Sequence, residues 1–175
     1  LDFGAPATQA NILKLLTSLC AKAPEGKGQS GVVAALEQFV DGSTYWAKLI
    51  GFFETDSSEL RLDALELVRA LLATDDRQLK SRVVDILNRN ELVAALVKLE
   101  VSCEAPPDDE APQANAAEIA EGNKAILKAI EDFRTQFAET FTFPKRAPPG
   151  SGEGEGGEEG GSGDQDGMNF MDLKS

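Results

Sequence analysis

Along roughly the first hundred residues, apolar side chains recur at steps of three and four, which places them on one face of an α-helix. Clusters of Gly, Pro, Asp, Asn and Ser separate these segments, and such residues end helices and cap new ones. No segment shows the apolar–polar alternation with β-branched enrichment that is typical of a strand. The pattern therefore predicts an all-α protein without a sheet. The six predicted helices cover approximately residues 8–22, 30–40, 44–53, 59–73, 77–87 and 92–99.

Internal similarity favours stacked helical repeats over a compact bundle, although short loops between the helices suit both. The pattern Leu-Leu-x-x-Leu at Leu15–Leu19 recurs loosely as Leu67-Val68-x-x-Leu71, and the helix pair at 31–53 recurs as the pair at 79–99. The offset of about 50 residues is slightly long for an armadillo-type unit. We expect an armadillo-like α-solenoid over residues 8–103, with a helical bundle as the alternative.

The chain changes character after residue 103. Three prolines among acidic residues make 104–113 a linker, because proline removes a backbone donor and disfavours helix before it. A later helix is predicted over 114–142, with Gly122 weakening its middle. Its narrow apolar seam suits packing on the end of the repeats or against a partner helix. The seam residues are Ile119, Ile126, Ile130, Phe133, Phe137 and Phe141.

Residues 144–175 are rich in Gly, Glu, Ser and Pro, and such composition buries too little apolar surface to offset the entropy of ordering. We expect a disordered acidic tail. An apolar cluster, Met168–Leu173, ends it. This cluster is either the first turn of an element cut off at the boundary or a short motif that docks elsewhere. The first residue is Leu and no signal peptide follows it, which favours an excised fragment.

Net charge is −13, and most of the acidity lies beyond residue 103. Residues 1–103 carry 11 Lys or Arg and 14 Asp or Glu, so the predicted repeats are nearly neutral. No clustered basic face is available to neutralise phosphates, which argues against nucleic acid and anionic membrane surfaces as partners. No apolar run approaches the length of a membrane span.

The residue types that catalysis and metal binding need are largely missing. The chain contains no histidine, which removes the commonest general base and metal ligand. Cys20 and Cys103 lie far apart in apolar stretches, so we expect buried free thiols and a reducing, cytoplasmic location. No phosphate-binding glycine motif follows a strand, and the acidic run at 108–110 lacks the spacing of a calcium loop. We predict no enzymatic activity, metal or cofactor.

The order of several segments resembles the armadillo repeats in the formin homology 3 region of diaphanous-type formins. The likeness lies in Ile12–Cys20, then Pro24-Glu25-Gly26, then Val33-x-x-Leu36-Glu37-x-Phe39, and again in Leu62–Leu99. In the last stretch, Leu67-Val68-Arg69-Ala70-Leu71-Leu72 is similar to that family's concave-face helix. Together these segments cover a little over half of the chain.

The resemblance implies a protein–protein interaction module that binds a helical peptide, namely an autoinhibitory segment that holds back actin assembly. It implies a Rho-type GTPase as a further partner, through N-terminal repeats that this sequence lacks, and only an indirect link to actin and the cytoskeleton. The peptide would lie along each repeat's third helix, here 8–22 and 57–73. The alternative is an unrelated armadillo or HEAT-type scaffold or adaptor. The implied partner-binding residues are Asn11, Lys14, Ser18, Glu66 and Arg69.

Overall fold

A computed structural model describes residues 6–22, 27–40, 43–104 and 113–144. Nearly all of them belong to one compact unit, Leu1–Phe143. Apart from their end residues, the predicted linker at 104–113 and the predicted disordered tail at 144–175 lie outside the described residues.

The described residues fold into seven α-helices, which confirms the all-α class. A 3₁₀ turn at Phe52–Glu54 extends the third helix. The second helix begins at Lys27 and ends at Leu36, whereas the sequence predicted residues 30–40. The helices are α1 (Pro6–Lys22), α2 (Lys27–Leu36), α3 (Tyr45–Gly51), α4 (Ser58–Leu72), α5 (Arg77–Arg89), α6 (Leu92–Glu104) and α7 (Gln113–Gln136).

One short pair of strands departs from the prediction of no sheet. β1 (Phe39–Val40) pairs antiparallel with β2 (Ser43–Thr44), and Phe39 lies opposite Thr44. The backbone amide of Tyr45 continues the contact by donating to the carbonyl of Gln38 over 3.3 Å. Two residues per strand are too few to produce an alternating pattern, so the sequence carried no signal for them.

Polar residues at the predicted breaks start three of the helices. The hydroxyl of Thr44 accepts from the amide of Ala47 at the start of α3. Ser57 accepts in the same way from Leu60 at the start of α4. The carboxylate of Asp76 accepts from two amides at the start of α5, over 2.9 and 3.1 Å. Each cap satisfies amide groups that the first turn of a helix leaves without partners.

Helix α4 lies between α1 on one side and α7 on the other. A Cβ atom at Gly122 of α7 would come within 2.6 Å of the Ser58 hydroxyl, so the helices touch at the start of α4. Near the end of α4, Arg69 Nε donates to Gln136 Oε1 of α7 over 3.3 Å. Because the two contacts occur in the same order along both helices, α4 and α7 run parallel.

The glycine that the sequence analysis treated as a weak point in α7 thus has a packing role. A side chain at Gly122 would collide with Ser58, whose Cβ lies 3.0 Å from the position that a Cβ would take. The helix–helix distance at this point depends on glycine, and the modest loss of helix propensity accompanies that close approach.

Three ion pairs between elements join residues at almost the same separation along the chain. Lys14 pairs with Glu59 and Glu37 pairs with Arg82, each across 45 positions. Glu54 pairs with Lys98 across 44 positions. These three ion pairs therefore share a sequence separation of 44 to 45 residues.

The seam predicted for the late helix packs within the same chain, on α4 and α6. Five of its six predicted residues are buried, from Ile126 to Phe141, whereas Ile119 is 45% exposed. The helix ends at Gln136 rather than near 142, and a turn brings Phe141 back to Phe133, with ring centroids 6.0 Å apart. This aromatic cluster fixes the second half of α7 to the bundle.

A largely buried ion pair joins α6 to α7. Arg134 Nη2 lies 2.6 Å from Glu100 Oε2, and their side chains are 14% and 10% exposed. The guanidinium also lies 5.3 Å from the ring centre of Phe143, a cation–π distance. Removing one member of such a pair would leave a buried charge without compensation.

Helix α1 exposes two large apolar side chains to solvent. Leu15 and Leu19 are 60% and 47% exposed, whereas Leu67 and Leu71, which only the sequence pattern aligns with them, are 0% exposed. The α4 pair is covered by neighbouring helices, and the α1 pair is not. None of the described helices combines the length and apolar character that a membrane span requires.

The matched leucines provide a direct stability comparison. Leu67→Ala opens a cavity in the core and should lower the free energy of unfolding by about 2–5 kcal/mol. Leu15→Ala removes an exposed side chain and should change it by less than about 0.5 kcal/mol. Urea unfolding followed by circular dichroism measures both, and equal losses for the two variants would contradict the described packing.

The buried ion pair gives a second comparison. Glu100→Gln and Arg134→Met should each destabilise the protein by about 3 kcal/mol, because each breaks the buried pair and leaves the remaining charge less well compensated. The double variant Glu100→Leu with Arg134→Met should recover most of that loss, since it removes both charges. Additive losses in the double variant, measured by the same urea unfolding, would show that the pair is not coupled.

Candidate partner-binding surface

The residues that the resemblance implies for partner binding lie on two helices that pack side by side. Asn11 and Lys14 are exposed on α1, and Ser18 is partly buried one turn further on. Glu66 is exposed on α4, and Arg69 is partly buried. We call these five residues, together with Glu59 and Asp63, the α1–α4 surface.

Lys14 is the residue that connects the two halves of this surface. Its ammonium nitrogen Nζ lies 2.5 Å from Glu59 Oε1 and 3.6 Å from Asp63 Oδ2. The hydrogen bond to Glu59 and the charge of Asp63 raise the pKa of Lys14 above its ordinary value. Lys14 is therefore already occupied by carboxylates of α4 and is only partly available to a ligand.

Asp63 lies at the edge of the helix interface, where its surroundings oppose its charge. Partial burial raises the pKa of its carboxyl group above the ordinary value, and the attraction of Lys14 only partly offsets this. Repulsion from Glu59 acts in the same direction as burial. A cation that approached this surface would stabilise the charged form of Asp63 against both its burial and its repulsion from Glu59.

Arg69 faces α7 in addition to its own helix. Its Nη1 lies 3.6 Å from Glu66 Oε2, one turn back, and its Nε donates to Gln136 of α7. The sequence analysis named this arginine as a candidate contact for a peptide. The structure places it in a bridge between α4 and α7, so it borders the surface and has limited freedom to reach a ligand.

Sequence reasoning missed three residues that shape this surface, namely Glu59, Asp63 and Gln136. The two acids could have been found, because they lie three and seven positions before Glu66 and so share its face of the helix. Gln136 could not, because nothing in the local pattern indicates that α7 lies beside α4. Three carboxylates against two cations give the α1–α4 surface a net negative charge.

The surface offers hydrogen bonds and ion pairs and no reactive group. Within the described segments, no group of three or more His, Cys, Asp or Glu is arranged to hold a metal ion. Cys20 and Cys103 are both buried free thiols, as the sequence analysis expected. Burial raises the pKa of Cys20 to about 11 and also raises that of Cys103.

Comparison of the chain with protein-family models, with curated proteins and with solved structures yields no match.

The raised pKa of Cys20 predicts slow alkylation in the folded protein. At pH 8, a shift from 9.0 to about 11 lowers the thiolate population about 100-fold, and the thiolate is the reactive form. In a Cys103→Ser variant, iodoacetamide should therefore modify Cys20 at least about 100-fold faster in 8 M urea than in buffer. Mass spectrometry at timed intervals measures both rates, and similar rates would contradict the burial of Cys20.

Proposed function

We propose that this chain is an armadillo-like α-solenoid module of the formin homology 3 type. In this proposal α2, α3 and α4 form one repeat, and α5, α6 and α7 form the next. Helix α1 is then the third helix of the repeat before them. The separation of 44 to 45 residues that three ion pairs share is the observation that carries the proposal. It agrees with the roughly 40–47 residues of armadillo and HEAT units.

The arrangement of the third helices supports the same assignment. Helix α4 packs on α1 and on α7, and α4 and α7 run parallel, as equivalent helices of successive repeats do. The late helix, which the sequence analysis set apart from the repeats, then completes the last one. The proline-rich segment between α6 and α7 then falls inside that repeat in the sequence.

The proposed function is binding of a helical peptide on the α1–α4 surface, which contributes to autoinhibition of actin assembly. Parallel helices side by side form the kind of surface on which an amphipathic helix docks. The net negative charge of the surface favours a peptide with basic residues. A Rho-type GTPase would bind through further repeats, and actin would be affected only indirectly.

An unrelated armadillo or HEAT-type scaffold or adaptor is the second candidate. The three ion pairs and the parallel third helices support this candidate equally well, because they concern the fold and not the partner. The two candidates differ in the ligand of the α1–α4 surface, and a binding measurement separates them.

A fluorescein-labelled peptide of a diaphanous-type autoinhibitory helix tests the proposal, with anisotropy as the readout. We expect saturable binding to the 175-residue chain in the micromolar range. Glu66→Lys should weaken binding about tenfold, because it reverses an exposed charge at the centre of the α1–α4 surface. Asp85→Lys, an equal charge change on the exposed face of α5, is the matched control and should leave binding unchanged.

Two outcomes would contradict this proposal. Absence of saturable binding would favour the scaffold candidate, and the repeat architecture would stand unaffected. An equal loss in the Asp85→Lys control would show that the peptide responds to overall charge rather than to the α1–α4 surface.

A further inference from the structure

A small cavity of about 280 Å³ lies where the 3₁₀ turn, α4 and α6 meet. Phe53 and Leu99 line it and are each only 2% exposed, so this part of the cavity wall is apolar. Arg61, Lys98 and Ser102 bring two cations and a hydroxyl to the same cavity. Residues 95, 98, 99 and 102 all line it, so α6 presents one helical face to this space.

Arg61 is the unusual member of this group. Its side chain is partly buried, and its Nε atom is fully buried without a hydrogen-bond partner. No ion pair joins Arg61 to any other described residue. A guanidinium cannot lose its charge, and a buried Nε donor without an acceptor costs free energy.

The other charges of the cavity do not compensate Arg61. Lys98 Nζ lies 2.6 Å from Glu54 Oε1, and both side chains are well exposed, at 72% and 59%. This pair lies at the rim and balances its own charges, which lowers the pKa of Glu54. With Arg61 included, the cavity carries one net positive charge. The positive charge of Arg61 also acts on the thiol of Cys103, and the carboxylate of Glu104 acts on the same thiol with the opposite sign.

We propose that this cavity binds a single carboxylate group attached to a small apolar body. The carboxylate accepts from the guanidinium of Arg61, and the hydroxyl of Ser102 donates to it. Lys98 adds attraction at the rim, and the apolar body packs against Phe53 and Leu99. A monovalent carboxylate matches both the net charge of one and the planar fork of a guanidinium.

The size of the cavity limits what can bind. At about 280 Å³ it is smaller than the roughly 300–1,000 Å³ typical of drug-sized ligand sites, so one side chain or one small acid fills it. The group is either a free small carboxylic acid or a Glu-like side chain of a bound peptide. This site is separate from the α1–α4 surface and does not depend on the peptide-binding proposal.

Two probes test the site in the ¹⁵N-labelled full-length chain, with amide chemical shifts as the readout. Isovalerate supplies a free carboxylate on a branched apolar body, and N-acetyl-glutamate amide supplies the same group in peptide form. We expect saturable shifts at residues 53–61 and 95–102, with a dissociation constant in the millimolar range. The tighter of the two probes identifies the source of the carboxylate.

Variants of Arg61 make the test specific. Arg61→Gln should weaken isovalerate binding about tenfold or more, because the charge-assisted contact is lost. Arg61→Lys should recover only part of the affinity, since it keeps the charge and loses the fork. Arg77→Gln removes an exposed charge on α5, outside the cavity, and should bind isovalerate like the unaltered protein.

Thermal unfolding separates binding from a structural role. Without added carboxylate, Arg61→Met should raise Tm, because it replaces an uncompensated charge with an apolar side chain of similar length. With saturating isovalerate, the unaltered protein should gain Tm and the variant should not. A lower Tm for Arg61→Met without ligand, unchanged isovalerate binding in Arg61→Gln, tighter binding of inorganic phosphate, or the absence of saturable shifts would each overturn the proposal.

Discussion

Helix α4 carries a broad apolar arc, and such a helix is stable only when neighbours cover it on more than one side. Leu60, Leu65, Val68 and Leu72 are all nearly inaccessible to solvent although they point in different directions. Helices α1 and α7 flank it, while α2 and α5 pack on it as well. The two exposed residues of α4, Glu59 and Glu66, both lie in the α1–α4 surface. The position of the candidate surface therefore follows from how α4 is buried.

The need to cover apolar side chains also distinguishes α7 from α1, the two helices that flank α4. Helix α7 directs its aromatic and aliphatic seam towards α4 and α6, and much of its remaining surface is polar. Helix α1 keeps Leu15 and Leu19 in solvent. A stacked array needs a polar outer face at its ends to stay soluble. In the proposed repeat architecture, the α7 edge meets this requirement and the α1 edge presents exposed leucines instead.

The helices and their caps could be predicted from sequence because they depend on local signals. Ser57 and Asp76 stand one position before their helices, and Trp46 lies in phase with the buried residues around it, 1% exposed. The register between helices could not be predicted, because it depends on contacts between residues that lie 34 to 67 positions apart in the sequence. The partners of Lys14 and Arg69 belong to this second class. The lack of an ion-pair partner for Arg61 could not be predicted either, because the sequence shows the charge of a residue but not which residues lie beside it.

The proposed repeat architecture requires α7 to lie parallel to α4 and in contact with it, because α7 is then the third helix of the last repeat. Gly122 provides the sharpest test, since its close approach to Ser58 brings protons of two distant helices together. In a NOESY spectrum of the full chain, we expect a strong cross-peak between the Gly122 α protons and the Ser58 β protons. If Gly122 shows cross-peaks only within its own helix, α7 is a separate element and the layer of three helices does not exist.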